Sequence, residues 1–175
     1  MESIIIRELQ LTDEAAFLNA MQRSKSLYDP WMSAPYTHEQ FVEFYHRYNQ
    51  SNHKSYLAYT NDNNNIVGVF NLSEIVMGLF QNAYLGFSAI IDYAGKGYMS
   101  RGLKIVLEKV FTELELHRLE ANIQPNNINS INLVKANGFR KEGYSPRYLK
   151  INNEWRDFER WAITYEDWDV IKKDV

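Results

Sequence analysis

An apolar strand, a glycine turn and a helix follow one another in the run Phe87-Ser88-Ala89-Ile90-Ile91-Asp92-Tyr93-Ala94-Gly95-Lys96-Gly97-Tyr98-Met99-Ser100-Arg101-Gly102-Leu103. That order makes a seat for an anion. The glycines let the backbone curl around an oxyanion, and the first turn of the helix offers N–H groups without helical partners at the positive end of its dipole. A phosphate or pyrophosphate suits such a seat. Two glycines around a lysine also occur in plain connections, with the lysine simply solvated, so the turn alone does not separate a ligand site from a linker.

A second group of chemistry-bearing residues lies downstream. Arg118-Leu-Glu-Ala-Asn-Ile123 reads as a strand and Gln124-Pro-Asn-Asn-Ile-Asn-Ser130 as a polar turn; a short helix follows, closed by Asn137-Gly138 ahead of Phe139. Asn127 and Ser130 are ordinary capping types at a helix start. A serine hydroxyl at that place can also give up a proton. Lys135 reads as a solvated helix residue and Phe139 as a core anchor.

Strand-Gly-x-Gly-helix followed by strand-Pro-x-Asn-x-x-Ser-helix-Asn-Gly-Phe resembles the GCN5-related N-acetyltransferase (GNAT) superfamily. Gly97-Tyr-Met99, Gly138-Phe-Arg-Lys-Glu-Gly143 and Asn153-Glu-Trp-Arg-Asp157 are similar to its RimJ/RimL-like branch, which acetylates N-terminal amines of ribosomal proteins. The resemblance covers nearly the whole chain and is strongest from Ala83 to Thr164. It implies a single-domain acyl-CoA N-acyltransferase fold over residues 1–175, acetyl-CoA as co-substrate and no metal. By position it implies that Phe87, Ser88 and Ala89 lend main-chain groups to the pantetheine arm, that Gly95, Lys96, Gly97, Tyr98, Met99 and Ser100 surround the pyrophosphate, and that a main-chain N–H near Ala89 or Ile90 supports the oxyanion. Asn127 would hydrogen-bond the pantetheine amides or steady its loop, and Ser130 would protonate the departing thiolate. The acceptor it implies is the N-terminal α-amine of a ribosomal protein. Two rivals stand beside it: a polyamine, amino acid or aminoglycoside as acceptor, or a protein that binds acetyl-CoA without catalysis.

The chain departs from the superfamily pattern in two places. Where the pattern has Gln or Arg, two residues, Gly, one residue, then Gly or Ala, this chain has Ala94, Gly97 and Met99. Backbone contacts dominate such a turn, so Ala94 weakens binding rather than abolishing it, while Met99 adds bulk near the turn. The related enzymes also keep a glutamate before the glycine turn or after the Gly-Phe element. Here those neighbourhoods read Ala83-Tyr84-Leu85-Gly86 and Tyr148-Leu149-Lys150, without a carboxylate. Glu74, near a hairpin end, is the remaining candidate base, against the plainer reading of a surface glutamate. An α-amine titrates near ~8 and a lysine near ~10.4, so an N-terminal amine needs little from a base. Direct attack by a neutral amine in a ternary complex is the expected mechanism. The chain has no cysteine for a thiol acyl-enzyme, and no histidine stands beside a serine nucleophile in the motifs.

The elements that must position these groups are legible in outline. Ser3 to Leu9 reads as a strand, followed by a helix capped by Thr12; Thr37-His-Glu-Gln40 has the capping-box pattern, and Phe41, Phe44, Tyr45 and Tyr48 recur at helical spacing. Between them lies an aromatic loop, Tyr28 to Tyr36, read either as a peptide entrance or as a lid on the core. Ser55 to Tyr59 and Ile66 to Leu72 read as a hairpin about Asn61 to Asn65, Ala83 to Ile90 as the strand into the glycine turn, and Met99, Leu103, Val106, Leu107, Val110 and Leu114 as one helix face. Two closing strands, about Gly143 to Ile151 and Phe158 to Tyr165, turn at Asn152-Asn153. The expected architecture is α/β (α+β): a mixed, mostly antiparallel sheet with helices on both faces.

Composition sets the outer bounds. The 175 residues are 45% hydrophobic and 23% charged, values of a globular chain. A formal charge of -3 gives no general attraction to nucleic acid. His38, His46, His53 and His117 lack metal-ligand spacing. The first residues, Met1-Glu-Ser-Ile-Ile-Ile-Arg7, lack the basic region and long apolar core of a signal peptide, and no stretch reaches the ~18 apolar residues of a membrane span. The expectation is a cytoplasmic protein, monomer or homodimer, acting on a protein N-terminus or small amine and binding neither membrane nor nucleic acid directly.

Overall fold

Seven strands hydrogen-bond into one sheet in the order β1-β2-β3-β4-β5-β7-β6. In the computed structural model, which describes residues 3–29, 31–62 and 65–173, these are β1 (Ile4–Glu8), β2 (Lys54–Thr60), β3 (Ile66–Val76), β4 (Asn82–Ala89), β5 (Arg118–Ile123), β6 (Arg140–Ile151) and β7 (Glu154–Thr164). Every neighbouring pair is antiparallel except β4 with β5. The expected mixed sheet is therefore present, and helices cover both its faces.

Alternation along the strands sorts the core into two layers. Tyr56 and Ala58 of β2 face one way, with Phe70, Leu72 and Leu119, onto α4 (Tyr98–Glu108) through Leu103, Val106 and Leu107. Leu57 and Tyr59 face the other way, with Val69 and Ile90, onto α1 (Glu14–Arg23), α2 (Lys25–Tyr28) and α3 (His38–Tyr48) through Phe17, Met21, Tyr28 and Phe41. Two further helices, α5 (Ile128–Ala136) and α6 (Tyr165–Lys173), complete the chain.

The local signals hold in most places. Thr37 and Gln40 close a reciprocal capping box at the start of α3, Gln40 N–H donating to Thr37 Oγ1 at 3.3 Å and Thr37 N–H to Gln40 Oε1 at 3.2 Å. The N-terminal helix starts differently from expectation. A 3₁₀ turn, Leu11–Asp13, precedes α1, and the buried Asp13 rather than Thr12 organises the entry, accepting from Gln10 N–H and from Arg7. A carboxylate that satisfies an arginine and a backbone donor at once outcompetes a lone hydroxyl. Asn63 and Asn64 of the hairpin turn and Pro30 of the aromatic loop lie outside the described residues.

The single parallel pair needs a crossover, which α4 supplies. Its apolar face extends past the α-helix into a π-helical turn, Lys109–Glu113. Pairing between β4 and β5 covers only Asn82, Ala83 and Tyr84 against Arg118, Leu119 and Glu120. Beyond Tyr84 and Glu120 the strands part, β4 staying with β3 and β5 with β7. This splay opens the sheet in its middle.

Candidate active site

Where β4 and β5 diverge, a cleft of about 520 Å³, counting its open mouth, runs between them. Leu85, Gly86 and Phe87 form one wall, Asn122, Ile123 and Gln124 the other, and Trp31, Met32, Asn127, Ser130 and Phe158 complete it. The aromatic loop thus touches both the core and the cleft. Tyr28 and Ala34 are buried in the core, while Trp31 and Met32 overhang the cleft. Gln124 Nε2 donates to Trp31 O at 3.0 Å and so fastens β5 to this loop, and Ser33 Oγ donates to Asn152 Oδ1 at 3.0 Å at the β6–β7 turn.

Register decides which main-chain groups face the gap. Ile90 N–H donates to Val67 O at 3.1 Å, and the β3–β4 register continues unbroken through Ala89 opposite Gly68 and Ser88 opposite Val69 to Phe87 opposite Phe70. In an antiparallel ladder such bonding alternates, so Ile90 and Ser88 spend their groups on β3 while Phe87 and Ala89 turn theirs toward the opening. Two expectations change accordingly. Ser88 does not offer its backbone to the gap, its side chain lying buried beneath Tyr28, and the Ile90 N–H is not available to an oxyanion. The N–H groups of Phe87 and Ala89 are the ones aimed at the cleft.

The end of β4 is clamped from the opposite helical layer. Tyr28 OH donates to Ala89 O at 2.9 Å, and Ser24 Oγ accepts from Ile91 N–H at 3.0 Å while donating to Ala20 O. Burial pushes the Tyr28 phenol up to about 12, so it remains a donor throughout the neutral range. The clamp holds β4 out to its last residue, where only β3 supports it in the sheet.

A 3₁₀ turn, Ile91–Tyr93, separates the strand from the glycines. Gly95 and Gly97 take φ of 72° and 80°, a region costly for other residues, and Gly97 caps α4. Arg101 N–H is bonded to Gly97 O, so the amides of Met99 and Ser100 ahead of it precede the helix's own ladder. The bulk of Met99 does not obstruct them. Its side chain lies over Gly68 of β3, where an added Cβ would come within 2.3 Å of Met99 Sδ. Lys96 Nζ donates back to Asp92 O at 2.7 Å at an exposed position, and Arg101 stacks over the Tyr98 ring. Ser100 Oγ accepts from Asn137 Nδ2 at 3.1 Å, fixing the start of α4 against the end of α5.

At the start of α5, Asn127 is the N-cap: its Oδ1 accepts from Ser130 N–H at 3.2 Å. Ser130 has its own hydroxyl left over, in the cleft lining and without a hydrogen-bond partner among the described residues. Glu74 is not in the cleft. It sits near the end of β3 at φ 52°, level with the start of β4, with one oxygen 3.7 Å from Nε2 of the buried His53. The geometry therefore does not bring Glu74 to Ser130. A bulge between Ser73 and Val76 turns it aside, which no hydropathy pattern could announce.

Asn122, Gln124 and Phe158 escaped the sequence reading. Asn122 carried a usable signal, a polar residue on the opposite face of β5 from the buried Ala121 and Ile123. Among the described residues no three His, Asp or Glu side chains gather as a metal site, and no helix is long and apolar enough to cross a membrane.

A sheet split between a parallel pair, a glycine turn beneath a helix N-terminus and a serine across the gap thus meet around one cleft. The chain belongs to the acetyltransferase (GNAT) domain family, whose model matches residues 3–140, and it is an acetyl-CoA-dependent N-acetyltransferase. Among its relatives is the [ribosomal protein uS5]-alanine N-acetyltransferase of Escherichia coli, 39% identical over 107 residues that cover 61% of this chain and 55% of that enzyme. The spermidine N(1)-acetyltransferase of Vibrio cholerae is 22% identical over 161 residues, 91% of this chain and 92% of that one. The crystal structure of the ribosomal-protein-S5-alanine acetyltransferase from Vibrio fischeri superposes with a TM-score of 0.84 at 25% identity, over 96% of each chain.

Proposed function

We propose that this enzyme acetylates the N-terminal α-amine of a protein, a ribosomal protein being the class that its uS5-acetylating relatives suggest, in the cytosol where such chains are made. The observation that carries the reading is the chemistry of the cleft. Among the described residues its lining is aromatic, aliphatic, amide and hydroxyl, without a charged side chain. A polyamine bears several positive charges and calls for carboxylates at its seat. A peptide N-terminus brings one charge, shed near pH 8, and a backbone that amide side chains such as Asn122 and Gln124 can bond.

Acetyl-CoA would lie with its pyrophosphate on the backbone of Gly95 to Ser100, the chain's own Lys96 adding charge at the rim. Phe87 and Ala89 would hold the pantetheine arm and thioester at the splayed edge, their N–H groups supporting the oxyanion as the amine attacks. The Ser130 hydroxyl would protonate the leaving thiolate, with Asn127 keeping the α5 turn in place. Proximity supplies most of the acceleration, because both reactants are held across one gap.

Acetyl transfer to three acceptors tests this: a peptide with free N-terminal Ala or Ser, the same peptide blocked at its N-terminus but carrying lysine, and spermidine. The free α-amine should be the favoured acceptor by about tenfold or more, with rate rising up to about pH 8. Acetyl found mainly on lysine or on spermidine, by mass mapping, would overturn the assignment. Tight acetyl-CoA binding without transfer to any of the three acceptors would likewise overturn it.

A further inference from the structure

The two neighbourhoods in which a catalytic carboxylate is missing each hold a tyrosine, and the fold brings the two together. Tyr84 of β4 stands opposite Glu120 of β5 in the last paired position before the strands part. Tyr148 of β6 lies beside the Tyr84 phenol and packs its ring at 6.2 Å from that of Phe158, a wall of the cleft. Glu120 is held by Arg118 Nε at 2.8 Å, and Arg118 also binds Glu142 of β6. Glu142 in turn meets Arg140 at 3.0 Å.

Nothing of β4 intervenes between this cluster and the cleft. Gly86, two residues beyond Tyr84 and on the same side of the strand, has no side chain, and the space where a Cβ would stand meets only Asn71 Cβ, at 3.9 Å. Along a strand, two residues span roughly 7 Å, the reach of one phenol or one water.

We propose that Tyr84, with Tyr148 beside it, passes the proton of the attacking amine to the carboxylate of Glu120. The inference rests on the acceptor reading above and supplies the base that reading lacks. As the amine nitrogen bonds the acetyl carbon and the carbon–sulfur bond breaks, one N–H proton moves to a phenol oxygen while that phenol's own proton moves on to Glu120. The thiolate takes a proton from Ser130, which is restored from solvent, and Glu120 releases its proton to solvent. Amine and acetyl-CoA become amide and CoA thiol, with one proton lost at nitrogen and one gained at sulfur. Burial, reinforced by the neighbouring Tyr148 and Glu120, raises the Tyr84 phenol, which keeps it protonated and able to hand on a proton. Arg118 balances the Glu120 charge, so the cluster does not turn the cleft into a polycation seat.

The test compares wild type with Tyr84→Phe, Tyr148→Phe, Glu120→Gln and the Tyr84→Phe/Glu120→Gln pair, measuring kcat from pH 6 to 9 and acetyl-CoA affinity by calorimetry. Tyr84→Phe and Glu120→Gln should each lower kcat at pH 7 by about tenfold or more, leave acetyl-CoA affinity within about twofold, and not add in the pair. The deficit should shrink toward pH 9, where hydroxide increasingly takes the proton that the nitrogen sheds as it is acylated. The charged groups facing the relay, Arg118 and Glu142 and Arg140 behind them, are unchanged in Tyr84→Phe, which keeps the ring's packing and therefore carries the decision. Wild-type kcat in Tyr84→Phe, or a deficit equal at every pH, overturns the relay. Should wild type acetylate spermidine but not the peptide, the acceptor reading falls and the relay is judged by the same variants on spermidine. Transfer to no amine overturns both.

Discussion

Ser130 and Asn127 divide two jobs that three residues of spacing left merged. Asn127 supplies the cap, so the Ser130 side chain is spared from structural duty. Ser130→Ala should accordingly change stability by less than about 0.5 kcal/mol while lowering kcat by about tenfold or more, with acetyl-CoA affinity nearly unchanged, since a proton donor to the thiolate acts as the carbon–sulfur bond breaks. Asn127→Ala should show the opposite balance, losing about 1 kcal/mol of stability through the vacated cap. Denaturant melts and steady-state kinetics on the two variants check the division. Wild-type turnover in Ser130→Ala at a temperature where it stays folded would remove it from the chemistry.

The turn between β4 and α4 works as an element because its parts are pinned from three directions. Tyr28 and Ser24 hold the strand end, Asn137 holds Ser100, and Met99 sinks onto Gly68. Lys96 N–H bonds Tyr93 O at 3.4 Å, and among the described residues the N–H groups of Gly95, Gly97, Met99 and Ser100 remain without a backbone partner. Gly97→Asp introduces a side chain at a positive φ and a negative charge where the pyrophosphate would lie, with open space around it that spares the fold a clash. Calorimetry should show acetyl-CoA affinity falling by about tenfold or more, about 1.4 kcal/mol. Unchanged affinity in a folded variant would move the cofactor elsewhere.

At the scale of the molecule, the first strand is anchored to the first helix by a polar knot. Arg7 donates to both Asp13 oxygens, at 2.8 and 2.6 Å, and to Tyr59 OH at 2.7 Å. Burial works to raise Asp13, but the hydrogen bonds from Arg7 and the Gln10 N–H outweigh it and hold the carboxyl below its usual range. A group depressed in the folded state stabilises above its unfolded pKa, near ~3.9, and that contribution fades as pH falls through the lower folded value. Asp13→Asn should cost about 1–3 kcal/mol at pH 7, and the difference from wild type should narrow below about pH 4. Urea unfolding at the two pH values checks the sign.

Much of this protein could be read from its residues alone because the deciding interactions are local. Strand alternation, the capping box at Thr37, the glycine turn at Gly95 to Gly97 and the Asn127-to-Ser130 helix start each depend on neighbours within a few positions. They were enough to indicate the sheet and the family, and they supply the seat proposed for the cofactor. What depended on tertiary structure was direction and company. Which of Phe87, Ser88 and Ala89 turns its backbone to the gap follows from pairing with β3, a register set by strands far apart in sequence. Glu74 drops out because a bulge turns it beside His53. Tyr84, Glu120 and Tyr148 look unrelated along the chain and become neighbours only when β4, β5, β7 and β6 align side by side, since a sheet places residues by strand order and register rather than by sequence distance.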